Sequence, residues 1–390
     1  MYEILTQLLS LPNYKVVGVE MTEDSIILDI ESTKNGANCP HCCVYCTHLH
    51  ENHNRMVRDL PISDKVCYLR FVRRRFFCFG CNNPFSEYLS FVQERRDYTK
   101  RYQGWIYHQV KENNITAVHR LEGLTYDQIE SIFLMEAKGR IPQNPFQNLT
   151  RLGIDEISLR KGKQDYALIL TNLDTADVVD VLEKRTQDKL KTRFEQLAEA
   201  ERSQIEEVAI DMWEAYANVC EEFLPNAIIT VDRFHVAQAV NNELKQLKNH
   251  QKKQHPQVLE GAHYPLLKNK ENLSETQQEK LNQVYETCPT VKMAHRLKEC
   301  LRHIFECSST KEKSKKRLQR WSRIAEQENL FPTFRKTLAK WIDKIANYFE
   351  KRTTSGMVEG INNKIKLIKR RAFGFRNFDH FRLRVIAAFL

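Results

Sequence analysis

Across 390 residues the chain has no uninterrupted apolar run of the ~18 or more residues a membrane-spanning helix needs, so no transmembrane segment is expected. Its first stretch, Met1 to Pro12, carries Glu3 and no basic cluster ahead of an apolar run, and does not read as a signal peptide. A cytoplasmic protein without a membrane partner is therefore expected. No internal repeat and no low-complexity tract is present, which sets repeat architectures aside. The eleven cysteines come without a secretion signal, and cytosolic thiols stay reduced, so a disulfide framework is also excluded. Several of them crowd into one short N-terminal stretch, where metal binding is the better reading.

What is present describes a folded chain of several parts. Hydrophobic residues make up 42% and charged residues 28%, a globular balance, and the length suggests about two to three domains. Lysine plus arginine exceed aspartate plus glutamate by 60 to 50, a formal charge of +10. The distribution matters more than the total. Basic runs at Arg73-Arg74-Arg75, Lys311 to Arg320 and Lys364 to Arg371 lie beside aromatic residues, a pattern that favours phosphate binding.

Residues 1–95 form a cysteine- and histidine-rich head with strand-like runs at Ser25 to Ile30 and Val66 to Val72. The period turns helical from Tyr98 to about Arg140, and a Pro/Asn/Gln-rich loop, Ile141 to Asn148, marks a boundary. Three strand candidates follow, Leu152 to Leu159, Tyr166 to Leu173 and Val178 to Glu183, then a mixed-charge helix, Lys189 to Glu201. The chain next alternates: strand Glu207 to Ile210, helix Glu214 to Phe223, strand Ala227 to Val231, helix Val236 to His250. That order predicts an α/β fold, a mixed five-stranded sheet covered by helices on both faces, as in ribonuclease-H-like cores of the retroviral-integrase type. The expected organisation is a zinc-binding domain at 1–95, a helix-turn-helix domain at 96–145, a catalytic core at 150–250, a helical insertion at 251–350, and a closing helix of the core at 351–390.

Cys39-Pro40-His41-Cys42 and Cys78-Phe79-Gly80-Cys81 are two C-x-x-C knuckles, which together supply the four thiolates of a structural zinc site. Cys43-Val44-Tyr45-Cys46 overlaps the first knuckle, so a site built on Cys43 and Cys46 stays open as the alternative register. In either register all four positions are filled by protein and the role is structural. Arg73, Arg74 and Arg75, running with Phe76 and Phe77 into the second knuckle, can lie along a phosphate backbone.

Ile115 to Ile129 fits a helix, a turn at Gly123, and a second helix capped by Thr125. Thr125, Tyr126 and Gln128 would then face a major groove. An ordinary helical hairpin gives the same pattern; beside a zinc module and basic runs it favours DNA binding.

Asp155 lies within the apolar strand Leu152 to Ile157, and Asp211 directly follows Val208-Ala209-Ile210. A charge in either place is costly unless paired or bound to a metal. The expected sheet makes their strands neighbours, and two close carboxylates are relieved by divalent cations. At about 100° per residue, Glu359, Asn363, Lys366 and Arg370 share one helix face, with Ile361, Ile365 and Ile368 opposite. One acid in a basic stripe makes sense if Glu359 holds metal while the cations, Lys369 included, hold phosphates.

The combination resembles the ISL-three family of bacterial insertion-sequence transposases, members of the larger DDE group, over nearly the whole chain. The most specific segment is Ser355-Gly356-Met357-Val358-Glu359-Gly360-Ile361-Asn362-Asn363-Lys364-Ile365-Lys366, continued from Lys369 to Phe378. Gly153 to Glu156 and Ile210 to Trp213 match the family's two aspartate positions, Val231-Asp232-Arg233-Phe234-His235 matches a further motif, and the knuckles resemble its N-terminal zinc finger. One departure is Cys43, where a glycine is more usual. The resemblance implies a transposase that uses two Mg²⁺ (or Mn²⁺) ions per site on Asp155, Asp211 and Glu359, and cuts transposon ends and joins them to target DNA. Asp232 competes for the second ligand position, with His235 as an auxiliary. Implied partners are double-stranded DNA, at terminal inverted repeats and target, and further copies of the chain in a homodimer or larger assembly; a nucleoid location follows. Two other readings stay open: a ribonuclease-H-like nuclease that only cuts, and a zinc-finger DNA-binding repressor without catalysis.

Overall fold

The structure is a computed structural model that describes residues 2–160, 165–352, 356–372, 374–375 and 377–390, with backbone alone at 356 and 357. Ser355, Phe373 and Arg376 of the C-terminal motif lie outside the described residues. The chain divides into two compact units, Met1–Arg140 and Ile141–Leu390. Among the described residues no helix is long and apolar enough to cross a membrane.

The first unit begins with α1 (Tyr2–Leu9) and seven strands: β1 (Tyr14–Met21), β2 (Ser25–Ser32), β3 (Ala37–Asn38), β4 (Tyr45–Cys46), β5 (Leu49–Ile62), β6 (Lys65–Cys78) and β7 (Asn83–Ser86). Three helices follow, α2 (Lys100–Glu112), α3 (Ile115–Glu122) and α4 (Tyr126–Arg140). The sheet order is β1-β2-β6-β5, with β7 on the far end of β6. β5 and β6 form a long hairpin in which Ile62 faces Lys65. The two residues between, Ser63 and Asp64, both have positive φ (50° and 63°), the conformation whose twist suits a two-residue hairpin. Alternation along β6 buries Cys67, Leu69 and Phe71 against Leu28 and Val57. The sheet is tied to the helices by buried acids. Asp59 accepts from Thr99 Oγ1 (2.7 Å) and pairs with Arg101. Glu122 takes Arg58 (3.0 Å) and accepts from Tyr102 Oη and Trp105 Nε1.

The second unit opens with β8 (Arg151–Ser158), β9 (Tyr166–Asn172) and β10 (Val178–Glu183), followed by α5 (Gln187–Glu195) and α6 (Glu199–Ser203). Here one expectation is corrected: the helix read from Lys189 to Glu201 is broken in two. Leu197 is drawn into the core, and Ala198 is extended with its N–H donated to Glu201 Oε2, which starts a new helix. Then come β11 (Glu207–Ile210), α7 (Glu214–Phe223), β12 (Ile228–Val231) and α8 (Arg233–Gln251). Helices α9 (Pro256–Leu259), α10 (His263–Leu267), α11 (Glu275–Thr287), α12 (Pro289–Cys307), α13 (Lys311–Gln327) and α14 (Pro332–Lys351) lead to α15 (Gly356–Arg371) and α16 (Phe378–Ala387).

The sheet order is β10-β9-β8-β11-β12, antiparallel through β8 and parallel from β8 to β12. Because side chains alternate, Leu152, Ile154, Leu168 and Leu170 face one side and Ile157, Ala167 and Ile169 the other. The first side shares a core with α5, α7, α8 and the helices to α14, and Asn347 of α14 donates to the Ile229 carbonyl of β12 (2.7 Å). The other side is covered by Ile361 and Ile365 of α15 and by Phe381, Val385 and Ile386 of α16.

Candidate active site

The register of the parallel strands sets the site. Ala209 of β11 lies beside Gly153 of β8 and Thr230 of β12. Two residues further on are Asp155, inside β8, and Asp211 and Asp232, the first residues past β11 and β12, so three aspartates stand at one level and on the α15 face. At Gly153 a Cβ would run into the side chains of Thr171 and Leu173, so any larger residue two positions before Asp155 would force those neighbours to move.

Asp155 is largely buried. Its carboxylate accepts from Glu156 N (2.7 Å) and from Asn362 Nδ2 of α15 (2.5 Å). Burial pushes the carboxyl above the usual carboxylate range, against those two hydrogen bonds. Among the described residues no lysine or arginine pairs with it. His235, in the first turn of α8, stands among all three acids: Nδ1 is 3.4 Å from Asp211 Oδ1, and Nε2 is 3.8 Å from Asp155 Oδ1 and 3.9 Å from Asp232 Oδ2. Asp232 also caps α8, accepting from Phe234 N (3.0 Å).

On α15, Ile361 and Ile365 are buried while Glu359, Asn363, Lys366 and Arg370 are exposed. A cleft of about 390 Å³ is lined by Asp155, Asp232, Phe234, Glu359, Asn363 and Lys366, among others. Asp211 is not on its wall and meets Asp155 through His235. Lys369 and Arg370 turn away to a second cavity with Arg160 and Glu183, and Lys369 Nζ donates to the Ser158 carbonyl, fastening α15 to the end of β8. Asp155, with Asp211 and Asp232 nearby and no lysine or arginine pairing with it among the described residues, offers the hard oxygen donors a divalent cation takes. Among those residues the group of ligand atoms gathered within coordination distance is that of the four cysteines.

In the first unit Cys39, Cys42, Cys78 and Cys81 converge, with all four sulfurs within 4.8 Å of one another. Cys42 Sγ lies 3.4 Å from Cys78 Sγ, and Cys39 Sγ 3.9 Å from Cys81 Sγ. Tetrahedral zinc with bonds of ~2.3 Å places its sulfurs ~3.8 Å apart, so the cluster has the size of a zinc site. The Cys81 N–H directed at Cys78 holds that thiol down, at about 6. Cys43 is exposed and left-handed (φ 62°), a conformation that favours glycine; the Cys46 sulfur faces the Val44 carbonyl.

Gly123 ends α3 in the left-handed conformation (φ 67°). Thr125 and Gln128 cap α4 reciprocally, with Thr125 N donating to Gln128 Oε1 (2.9 Å) and Gln128 N to Thr125 Oγ1 (3.3 Å). Tyr126 is exposed and stacked on His119 (4.4 Å). Of the three arginines, Arg74 is held by Glu87, Ser32 and the Lys34 carbonyl, and Arg75 by Glu51. Arg73 has its Nε buried without a partner.

A family model described as a transposase of the ISL3 group matches residues 152–385, which contain the whole aspartate row and α15. The chain belongs to the ISL3 family of transposases. The zinc-finger model of transposases IS204/IS1001/IS1096/IS1165 matches residues 36–81, and the helix-turn-helix model of the same family matches 87–136. The transposase for insertion sequence element IS1001 of Bordetella parapertussis is 27% identical over 388 residues, 96% of this chain and 95% of that protein. The transposase for IS1557 of Mycobacterium tuberculosis is 30% identical over 265 residues, 60% of this chain and 58% of that protein. This transposase is thus a DNA-binding enzyme with a zinc finger and a helix-turn-helix.

Sequence reasoning missed the transposase's Asn362, which holds Asp155. Its signal was present: it stands three residues after Glu359, beside it on the helix wheel. It also missed the partners of Glu156, which points to the opposite side of β8 from Asp155. Glu156 binds Arg185 Nη1 and Tyr216 Oη (both 2.8 Å), and Arg185 is pressed between the rings of Tyr166 (4.1 Å) and Trp213 (4.7 Å). Nothing in the local sequence singles out Arg185 for this place.

Proposed function

We propose that this insertion-sequence transposase works by the DDE reaction, with Asp155, Asp211 and Glu359 as its cation-holding acids and Asp232 and His235 as their auxiliaries. The observation that carries the reading is the aspartate row: Asp155 within β8, and Asp211 and Asp232 directly after β11 and β12, stand at one level across three adjacent parallel strands, and Glu359 lines a cleft with Asp155 and Asp232. The strand order, antiparallel then parallel, supports a ribonuclease-H-like core at 150–250 completed by 351–390 across the helical segment 251–350.

Divalent cations (Mg²⁺ or Mn²⁺, two per site), when bound, would supply Lewis-acid stabilisation of the phosphate and a more acidic water. The chain's own groups do the rest. Asn362 donates to Asp155, and His235 stands between Asp211 on its Nδ1 side and Asp155 and Asp232 on its Nε2 side. Lys366 and Asn363 sit where they can hold phosphate oxygens. In the first step a water oxygen attacks the phosphorus and the bond to the 3′ oxygen breaks, leaving a 3′-hydroxyl and a 5′-phosphate. In the second, that hydroxyl attacks a target phosphorus and displaces the target's own 3′ oxygen. Both displacements use the same acids, so no protein–DNA covalent bond is required.

In the first unit, zinc on Cys39, Cys42, Cys78 and Cys81 would hold the zinc-finger domain (1–95), and the helix-turn-helix (96–145) would bind the terminal inverted repeats of double-stranded DNA. Among the expected DNA contacts, Arg73, Tyr126, Asn363, Lys366 and Arg370 keep exposed or unpaired groups. Thr125 and Gln128 are engaged in capping, and Arg74 in its ion pair. Two or more copies would act together on paired ends.

The experiment is incubation with Mg²⁺ and labelled duplexes bearing the element's ends, wild type against Glu359→Gln. Cleavage and joining by wild type, lost in the variant with zinc content and binding retained, is expected. Binding without any cleavage by wild type would favour the repressor reading, and cleavage without joining the nuclease.

A further inference from the structure

We propose that the cleft beside the carboxylates is also a subsite for one unstacked nucleobase next to the phosphodiester being cut, with Phe234 as its stacking surface. The inference rests on the cleft being where DNA reacts. Phe234 is 48% exposed although its ring is large and apolar. Isolated exposed apolar side chains are ordinary, and Phe79, Tyr88 and Tyr264 are examples elsewhere on this chain. Phe234 differs in place. It lines the same cleft as Asp155, Asp232 and Glu359, where the substrate edge is expected to be charged.

The residue is also held: its backbone N–H donates to Asp232 Oδ1 in the first turn of a 19-residue helix, and the His235 ring packs edge-on against its ring at 5.5 Å and 81°. Around it the cleft has two chemistries. Phe234, Ala237 and Val358 give an apolar wall, while Lys366 and Asn363 supply a cation and an amide. Its volume of about 390 Å³ lies in the small-molecule range of ~300–1,000 Å³.

A nucleotide presents that combination, a π-face joined to a phosphate. Duplex DNA does not, because its backbone edge is sugar and phosphate and its base faces are hidden in the stack. An aromatic ring in this cleft finds a matching partner when one base leaves the stack, which is easiest at a strand end or a nick. Every base has a π-face, so the subsite would tolerate sequence. A base seated on Phe234 would pin the adjoining sugar–phosphate beside Asp155.

The test is a coupling measurement by fluorescence anisotropy before Mg²⁺ is added. It uses the full-length protein and end duplexes with a single abasic site walked across the nucleotides flanking the cut. Phe234→Ala is expected to weaken binding to intact ends by about 10- to 100-fold, the worth of one base–aromatic stack. On one abasic duplex the same substitution should cost nothing further, and Phe234→Trp should bind intact ends like wild type. Effects of Phe234→Ala and the abasic sites that add at every position would overturn the proposal, as would unchanged binding by Phe234→Ala. Phe234→Leu keeps bulk without a π-face; tight binding by that variant would show that the ring serves only as an apolar contact, to a sugar or to a second copy of the chain. Cleavage is scored separately. Coupling at one position in a protein that does not cut would leave the base subsite standing while the catalytic reading falls, and cutting without coupling does the reverse.

Discussion

Replacing Cys42 by serine removes one of the four sulfurs that meet where the two knuckles converge. Cys42 is exposed, so the change opens no cavity, and any loss reports on the ligand itself. The small core behind the cluster holds Cys39, Cys46, Phe76, Cys78 and Phe85. Its two phenylalanines contribute ~1.5–3 kcal/mol each on burial, or ~3–6 kcal/mol together. Zinc in small four-ligand sites contributes ~10–16 kcal/mol. Order at this end of the hairpin should therefore go with the metal, while the sheet core around Val57, Cys67 and Leu69, each 0% exposed, persists without it. Native mass and elemental analysis are expected to find one zinc per wild-type chain, none in Cys42→Ser after dialysis against a chelator, and one in Cys43→Ser. Amide exchange should accelerate around residues 36–48 and 78–86 in the Cys42 variant, with β2 and the first half of β6 still protected. Wild-type protein free of zinc would refute the reasoning outright. Metal lost from the Cys43 and Cys46 variants but kept by Cys42→Ser would move the site to the overlapping register.

Cys43→Gly removes a left-handed non-glycine residue, which costs ~1–2 kcal/mol, at an entropic cost of ~0.5–1 kcal/mol; a net gain of about 0.5–1 kcal/mol is expected in denaturant titration of the zinc-loaded protein. Asp155→Asn should abolish cleavage yet stabilise the cation-free protein at neutral pH. The folded pKa of Asp155 is raised, so the wild-type group's destabilisation is absent below the 3.8 of an ordinary aspartate, grows as pH rises from there to the raised value, and is constant above it. Thermal scans without divalent cations should thus show a gap that closes in acid, and a pH-independent gap would contradict the burial of this carboxylate. Arg58→Ala leaves Glu122 largely buried without its cation and should destabilise the first unit by about 3 kcal/mol, read as a shift in its urea midpoint.

The periodic elements of the catalytic unit were legible because their causes are local. Apolar runs of strand length, a proline- and asparagine-rich boundary, and the isoleucine face of α15 all carry their signals within a few residues. The two knuckles are local in the same way, and so is the Gly123 turn. Legibility failed where a residue's state depends on a partner distant in sequence. The Lys189 to Glu201 helix breaks because the core draws in Leu197. The capping bond of the exposed Gln128 and the pairing of Arg74 with Glu87 were likewise not legible in their own stretches.

The candidate site divides along the same line. By itself the sequence determined the chemistry available: two C-x-x-C knuckles, acids at the ends of apolar strands, and one acid in a basic helical stripe. The tertiary structure decided which of these meet. Register between β8, β11 and β12 puts Asp155, Asp211 and Asp232 at one level, and packing of α15 on the opposite face from α8 brings Glu359 and Asn362 to that row. Four sulfurs converge in the first of two overlapping registers because one backbone folds around them. Strand pairing and helix packing join residues some 50 to 200 positions apart, and the physics that selects those pairings is burial of whole faces, which no short stretch of sequence contains.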